Sequence, residues 1–214
     1  MGQFVKAVEG MAEACKQLDF PVVSGNVSLY NETDGVGIPP TPVCGGVGLI
    51  EDVSKIATLK GAQAGDVLVL IGETTGHLGA SLYAREILGL EGEALGPPPP
   101  VDLAVERRNA DFVRSLIEQG LVNAVHDVSD GGIACAAAEM TLASDLKLYA
   151  DLDNASAVTG NFKPFSLATF LFGETTGRYL VSCADASKIY ESAEQFSVTC
   201  SFIGFGEFLS LIHI

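Results

Sequence analysis

Residues 20–52 read FPVVSGNVSLYNETDGVGIPPTPVCGGVGLIED, and this stretch decides how the chain is organised. Pro21 ends any preceding helix, because its ring removes an amide donor and collides with the turn behind it. Val22 and Val23 open a strand that runs to about Tyr30, a turn-rich stretch spans 31–42, and Val43 to Ile50 reads as a second apolar strand. Strand, long loop and strand, followed by the polar Glu51 and Asp52, read as the end of a folding unit. A domain boundary is therefore expected near Asp52, with 1–52 closing one domain and 53–214 forming a second.

Upstream, Phe4, Val8, Met11, Cys15 and Leu18 share one stripe while Lys6, Glu9, Glu13 and Lys16 lie elsewhere, which predicts an amphipathic helix over 4–18. It begins almost at residue 1 with no cap ahead of it, so the expectation is a polypeptide that starts inside a domain. Downstream, the pattern predicts strands at 66–71, 122–126, 146–151, 178–183 and 198–205. Helices are expected at 80–88, 102–119, 133–143, 165–172 and 186–196, with Pro97 to Pro100 a stiff connector. Strands and helices alternate without strict β-α-β regularity, so the expected class is α+β, in two layers with helices over one mixed sheet.

Nearly half of the 214 residues are apolar and 18% are charged, enough to build a core and too apolar for a disordered tail. The formal net charge of -15 repels phosphate backbones and anionic lipid, so no nucleic acid and no membrane are expected as partners. Backbone amides, a helix N-terminus and a bound cation still allow an acidic protein to hold a nucleotide. Five cysteines without a C-x-x-C pair read as reduced core residues, and no apolar run reaches the ~20 residues of a membrane helix, so a cytoplasmic protein is expected.

Within residues 25–33, GNVSLYNET, a period of two places Asn26, Ser28 and Tyr30 on one strand face and Val27 and Leu29 on the other. Gly25 permits close approach to the backbone, Asn26 offers a neutral oxygen to a hard cation, and Ser28 offers a hydroxyl. Spacing alone fits a merely solvated strand face at least as well.

The stretch 20–52 resembles the segment closing the second nucleotide-binding-type domain in the synthetase component of the phosphoribosylformylglycinamidine (FGAM) synthase family. VHDVSDGGIACAAAEM at 125–140 and LFGETTGRYLVS at 171–182 resemble motifs of the following C-terminal-type domain, in the same order. The resemblance implies the end of an AIR-synthetase N-terminal-type domain followed by an AIR-synthetase C-terminal-type domain. It further implies an ATP-dependent ligase that converts formylglycinamide ribonucleotide and ammonia to formylglycinamidine ribonucleotide in purine biosynthesis. Carried over residue by residue, it makes Gly25 an ATP contact, Asn26 a Mg²⁺ ligand and Ser28 a substrate contact.

The implied partners are a glutaminase component that supplies ammonia and the N-terminal half of the same enzyme. That half holds most of the family's catalytic residues, so none is assigned here and the chain alone is expected to be inactive. Phe208 to Ile214 departs from the family pattern as an apolar stub, consistent with an early stop. The alternatives are another ATP-dependent enzyme of the same superfamily, such as aminoimidazole ribonucleotide synthetase, selenophosphate synthetase or thiamine monophosphate kinase, or a non-catalytic scaffold domain.

Weaker signals surround this reading. In HDVSDGG, 126–132, Asp127 sits where a metal could be held, Asp130 where it would cap the next helix, and Gly131 and Gly132 where a phosphate could approach, as part of a second, pseudo-symmetric site. A capping turn and a structural His126 explain the same residues. GETTGHLGAS, 72–81, lacks the lysine of a P-loop and reads first as a turn; Glu174 and Arg178 can pair with each other as readily as with a ligand.

Overall fold

A computed structural model describes residues 2–27, 32–39, 41–150 and 167–208. The chain divides into two compact units, Met1–Glu51 and Asp52–Ile214.

In the first unit, helix α1 (Gly2–Gln17) forms as its periodicity requires, yet it buries none of its residues. A hairpin follows, β1 (Glu32–Thr33) and β2 (Val36–Gly37), turning through Asp34 and Gly35 at φ 53 and 78. Asp-Gly is the pair that tolerates two successive positive φ angles, which is why the turn falls there. The hairpin lies within the stretch read as loop. Of the two strands expected at 22–30 and 43–50, the described parts 22–27 and 43–50 join no strand ladder, and 28–31 lie outside the described residues. A strand needs a neighbour to accept its amides, and among the described residues this unit supplies none to either segment.

The second unit is built on a five-stranded sheet of order β4-β6-β3-β7-β5. Its strands are β3 (Val67–Ile71), β4 (Ala124–Asp127), β5 (Leu146–Ala150), β6 (Tyr179–Cys183) and β7 (Cys200–Phe208). The α+β class is as expected. The sheet expected to be mixed is antiparallel at every described pairing, because β6 and β7 insert between the like-directed β3, β4 and β5.

The expected two layers are three. On one face Val69, Ile71, Val181 and Cys183 pack with Phe112, Val113 and Leu116 of α2 (Leu103–Glu118) and Ile189 and Ala193 of α5 (Ala186–Phe196). On the other, Leu68, Leu70 and Leu180 pack with Ile133, Ala136, Ala137 and Met140 of α3 (Gly132–Ser144). VLVLI, apolar at every position, is covered on both faces by helices from distant parts of the chain. A short helix α4 (Leu167–Phe172) precedes β6, and the expected helix at 80–88 appears as a π-helical turn, Tyr83–Ile87.

Asp102 starts α2 by accepting from the amides of Ala104 at 3.0 Å and Val105 at 3.1 Å, and Asp185 starts α5 by accepting from Ser187 N at 3.0 Å. Among the described residues no helix is long and apolar enough to cross a membrane. The strand expected to reach residue 151, the start of the helix expected at 165, and residues 209–214 of the apolar end fall outside the described residues.

Phe112 is fully buried and its ring lies 5.3 Å from that of Phe196. Phe112→Ala is expected to lower the unfolding free energy of the second unit by about 3–5 kcal/mol in urea titration. Leu142→Ala, at a helix position 78% exposed, is expected to change it by less than about 0.5 kcal/mol.

Candidate functional site

Of the residues singled out in 25–28, Gly25 and Asn26 are exposed, and no atom comes within 4 Å of where a Gly25 Cβ would stand. The backbone there is open to close approach by a ligand. The Asn26 amide is likewise accessible. Ser28 lies outside the described residues. Among the described residues no three His, Cys, Asp or Glu side chains converge on a metal position. The neutral amide oxygen of Asn26 suits one ligand position of a hard cation.

The other motifs meet at one end of the sheet. Because β3 and β6 pair antiparallel with Ile71 opposite Tyr179, the segment leaving β3 and the segment entering β6 emerge side by side. Both read GETTG, at 72–76 and 173–177. Their threonines meet, Thr75 Oγ1 lying 2.8 Å from Thr175 Oγ1. Gly72, at φ 96, approaches Gly177 so closely that a Cβ would stand 2.7 Å from Gly177 O.

Arg178, only 1% exposed, ties the two loops together. Its guanidinium donates to Thr175 O at 2.8 Å, Thr74 Oγ1 at 2.9 Å and Gly173 O at 2.6 Å. All three acceptors are neutral, so burial pushes this arginine down to about 10, still protonated at neutral pH. Asn109, 2% exposed on α2, donates to Gly177 O at 2.8 Å. Sequence reasoning passed over Asn109; its signal was a polar residue among the core positions of an amphipathic helix.

The third segment, HDVSDGG, joins through β4, whose Asp127 lies opposite Tyr179, and through Val128 N donating to Arg178 O at 2.9 Å. Glu174 sits among all three loops. Its Oε1 accepts from Leu82 N and from Gly131 N, each at 2.8 Å, while its own amide donates to His77 O at 3.3 Å. Glu174 and Arg178 therefore do not pair with each other.

Gly131, at φ 77, takes the capping position expected of Asp130, because only a left-handed residue turns the chain into α3 here. The space expected to admit a phosphate at Gly132 is filled: a Cβ there would stand 2.7 Å from both Gly173 O and Leu171 O. His126 is bonded on both sides, Nε2 2.6 Å from Glu139 Oε2 and Nδ1 3.3 Å from Asp127 Oδ1. This end of the sheet is a closed polar knot that satisfies itself.

Cys183 and Cys200 lie on core strands as expected, whereas Cys44, also read as a core residue, is exposed. Burial pushes the Cys183 thiol up to about 11 and that of Cys200 to about 12, which removes both as nucleophiles.

The comparisons place the chain beside known proteins. The model of the AIR synthase related protein, N-terminal domain, matches residues 2–50, and that of the AIR synthase related protein, C-terminal domain, matches 63–204. The phosphoribosylformylglycinamidine synthase subunit PurL of Caulobacter vibrioides is 52% identical over 204 residues, which covers 95% of this chain and 26% of that protein. The corresponding subunit of Methylocella silvestris is 50% identical over 206 residues with the same coverages. The chain thus spans about a quarter of the length of these curated relatives.

Among solved structures, Thermotoga maritima PurL complexed with FGAR superposes with a TM-score of 0.60 at 21% identity, covering 73% of this chain and 26% of that one. The same organism's PurL complexed with ATP gives 0.55 at 19% identity, over 73% of this chain and 24% of that one. PurLQS from that organism gives 0.55 at 20%, over 72% and 24%. At these identities the structures establish the shared fold.

Two outcomes test this description. Glu174→Ala is expected to cost about 2–3 kcal/mol in urea unfolding, the worth of two backbone bonds to a carboxylate, with Glu174→Gln costing less. In the native chain at pH 8, the exposed Cys44 is expected to react with Ellman's reagent while Cys183 reacts only on unfolding. The raised thiols favour the folded state fully below about pH 9 and lose that contribution as pH climbs through 11 to 12, so stability should fall over that window.

Proposed function

The chain belongs to the AIR synthase related protein family, and on that premise we propose that it is part of an FGAM synthase, the ATP-dependent ligase that aminates formylglycinamide ribonucleotide. One observation carries the reading: 52% identity to a PurL subunit across 95% of the chain, far above what a shared fold alone requires. Residues 1–52 are read as closing an N-terminal-type domain and 53–214 as the C-terminal-type domain.

In the proposed reaction ATP phosphorylates the amide oxygen of formylglycinamide ribonucleotide, which turns a poor leaving group into phosphate. Ammonia then attacks the activated carbon, and formylglycinamidine ribonucleotide, ADP and phosphate leave. A glutaminase component supplies the ammonia from glutamine. Names of solved relatives support the ligands: one T. maritima PurL structure is complexed with FGAR and another with ATP. Within this chain Gly25 is assigned to ATP, Asn26 to Mg²⁺ and Ser28 to the ribonucleotide. Magnesium, when bound, supplies charge neutralisation at the transferring phosphate. Gly25 contributes by having no side chain to hold a phosphate away, and Asn26 by presenting an amide oxygen.

The chain by itself does not complete such a site, since at one ligand per cation and one hydroxyl per substrate most of the machinery lies elsewhere in the protein. A second reading, a non-catalytic scaffold, is favoured by one observation in the second unit. There Glu174 and Arg178 spend their hydrogen bonds on the loops themselves rather than facing a ligand.

The test mixes the chain with the Caulobacter vibrioides PurL polypeptide from which the matching quarter has been removed, and assays ATP- and ammonia-dependent product formation. Activity is expected only in the mixture. Asn26→Ala and Ser28→Ala are each expected to reduce it by about 100-fold or more, as loss of a positioned ligand does. Activity indifferent to both substitutions would select the scaffold.

A further inference from the structure

An aspartate followed by glycine is a chemically labile pair, because glycine has no side chain to keep its amide nitrogen away from the aspartate carboxyl. The chain contains two, Asp34-Gly35 and Asp130-Gly131. Exposure and backbone angle do not tell them apart. Both aspartates are exposed, and the two glycines take nearly the same left-handed backbone, φ 78 at Gly35 and φ 77 at Gly131. What separates them is the fate of the glycine amide.

Gly131 is buried, and its N–H donates to Glu174 Oε1 at 2.8 Å. A carboxylate acceptor stabilises the protonated amide, which keeps the nitrogen from becoming a nucleophile. The position is also packed, since a Cβ on Gly131 would collide with the Cys135 side chain. Swinging the Asp130 carboxyl onto that nitrogen requires unwinding the entry to α3, whose Ile133, Ala136 and Ala137 are core.

Gly35 is in the opposite state. Its amide donates to no described residue, because Thr33 and Val36 face each other and the turn between them stands outside the ladder. Apart from its chain neighbours, no heavy atom lies within 4 Å of where a Gly35 Cβ would stand. The hairpin has two residues in each strand and buries none of them, so it opens at little cost and lets the Asp34 carboxyl reach the Gly35 nitrogen.

We propose that Asp34-Gly35 is a site of spontaneous isomerisation to isoaspartate, and that the bond to Glu174 shields Asp130-Gly131 from the same reaction. The Gly35 nitrogen, having lost its proton to solvent, forms a bond to Asp34 Cγ. The Cγ–OH bond of the neutral carboxyl breaks, its oxygen leaves as water, and a succinimide ring closes. Water then adds to the ring carbonyl that came from the Asp34 main chain; the bond from that carbon to the Gly35 nitrogen breaks, and the nitrogen takes back a proton. Nothing is oxidised or reduced, and one water leaves for each that enters. The chain now runs through the former side chain and is longer by one carbon, so Thr33 and Val36 lose their register. The freed α-carboxylate makes the product a substrate for an S-adenosylmethionine-dependent carboxyl methyltransferase.

The test ages the whole 214-residue chain at neutral pH, native and in unfolding urea, and counts isoaspartate at each site by peptide mapping and by enzymatic methyl transfer. In urea the two sites are expected to react at comparable rates. In the native chain Asp34 is expected to keep its urea rate and to react about 10-fold or more faster than Asp130. Native rates closer together than about 10-fold overturn the proposal, as does an Asp34 rate that falls by that factor on folding. A separation of that size already present in urea overturns it too, by placing the discrimination in the local sequence instead of the fold. Asp34→Glu, whose longer side chain disfavours ring closure, is expected to remove most of the methylation from the native chain while circular dichroism stays unchanged. Methylation that persists in this variant overturns the assignment to Asp34.

Discussion

The second unit depends on one constraint, that β3 is apolar at every position and therefore must be covered on both faces. Val69 and Ile71 are fully buried under α2 and α5, and Leu68 and Leu70 are nearly so under α3. Burying four such side chains contributes several kcal/mol, about 1.5–3 each, and it forces the sheet to the middle of three layers. Placing β6 and β7 on either side of β3 gives it a ladder partner along each edge, with a register shift against β7 between Leu68 and Val69. Everything at the sheet's end follows from that pairing, because it brings the segments after β3 and before β6 out together.

There the identical GETTG segments meet, and the buried Arg178 holds them by three bonds to neutral oxygens. A charge buried without a carboxylate partner costs more than a paired one, and the depressed arginine reflects that cost. The knot therefore gains precision at some expense of stability, and Glu174 extends it to the helices that begin at Leu82 and at Gly131. The first unit offers the contrast. Among its described residues it has a helix and apolar segments but no strand beside those segments and no buried residue, and Gly25 and Asn26 stand exposed.

Much of the fold was legible in the residues. Periodicity located α2 and α5, whose stripes are regular, and the apolar runs at β3 and β6 read as core strands. Asp102 and Gly120 marked the ends of α2 because capping chemistry is local. The expectations that failed were the non-local ones. The layer count required knowing that both faces of VLVLI are covered by helices far apart in sequence. The cap expected at Asp130 falls at Gly131, whose left-handed backbone turns the chain into α3 and whose amide donates to Glu174, 43 residues on. The strands at 22–30 and 43–50 were read from composition, which reports the capacity to pair and cannot report whether a partner is present.

What the sequence by itself determined is the local grammar and the kinship: the helices, the core strands, and the motifs that align this chain with its family. Each is set by contacts within a few residues or by identity along the chain. What only the tertiary structure decided is which segments meet: the three layers, the antiparallel order, the union of the two GETTG loops around Arg178, and the unpaired state of the first unit's extended segments. Those outcomes turn on hydrogen bonds and burial between residues a hundred or more positions apart, as Thr75 and Thr175 are. No pattern of neighbours along a chain encodes which distant surface will be there to receive them.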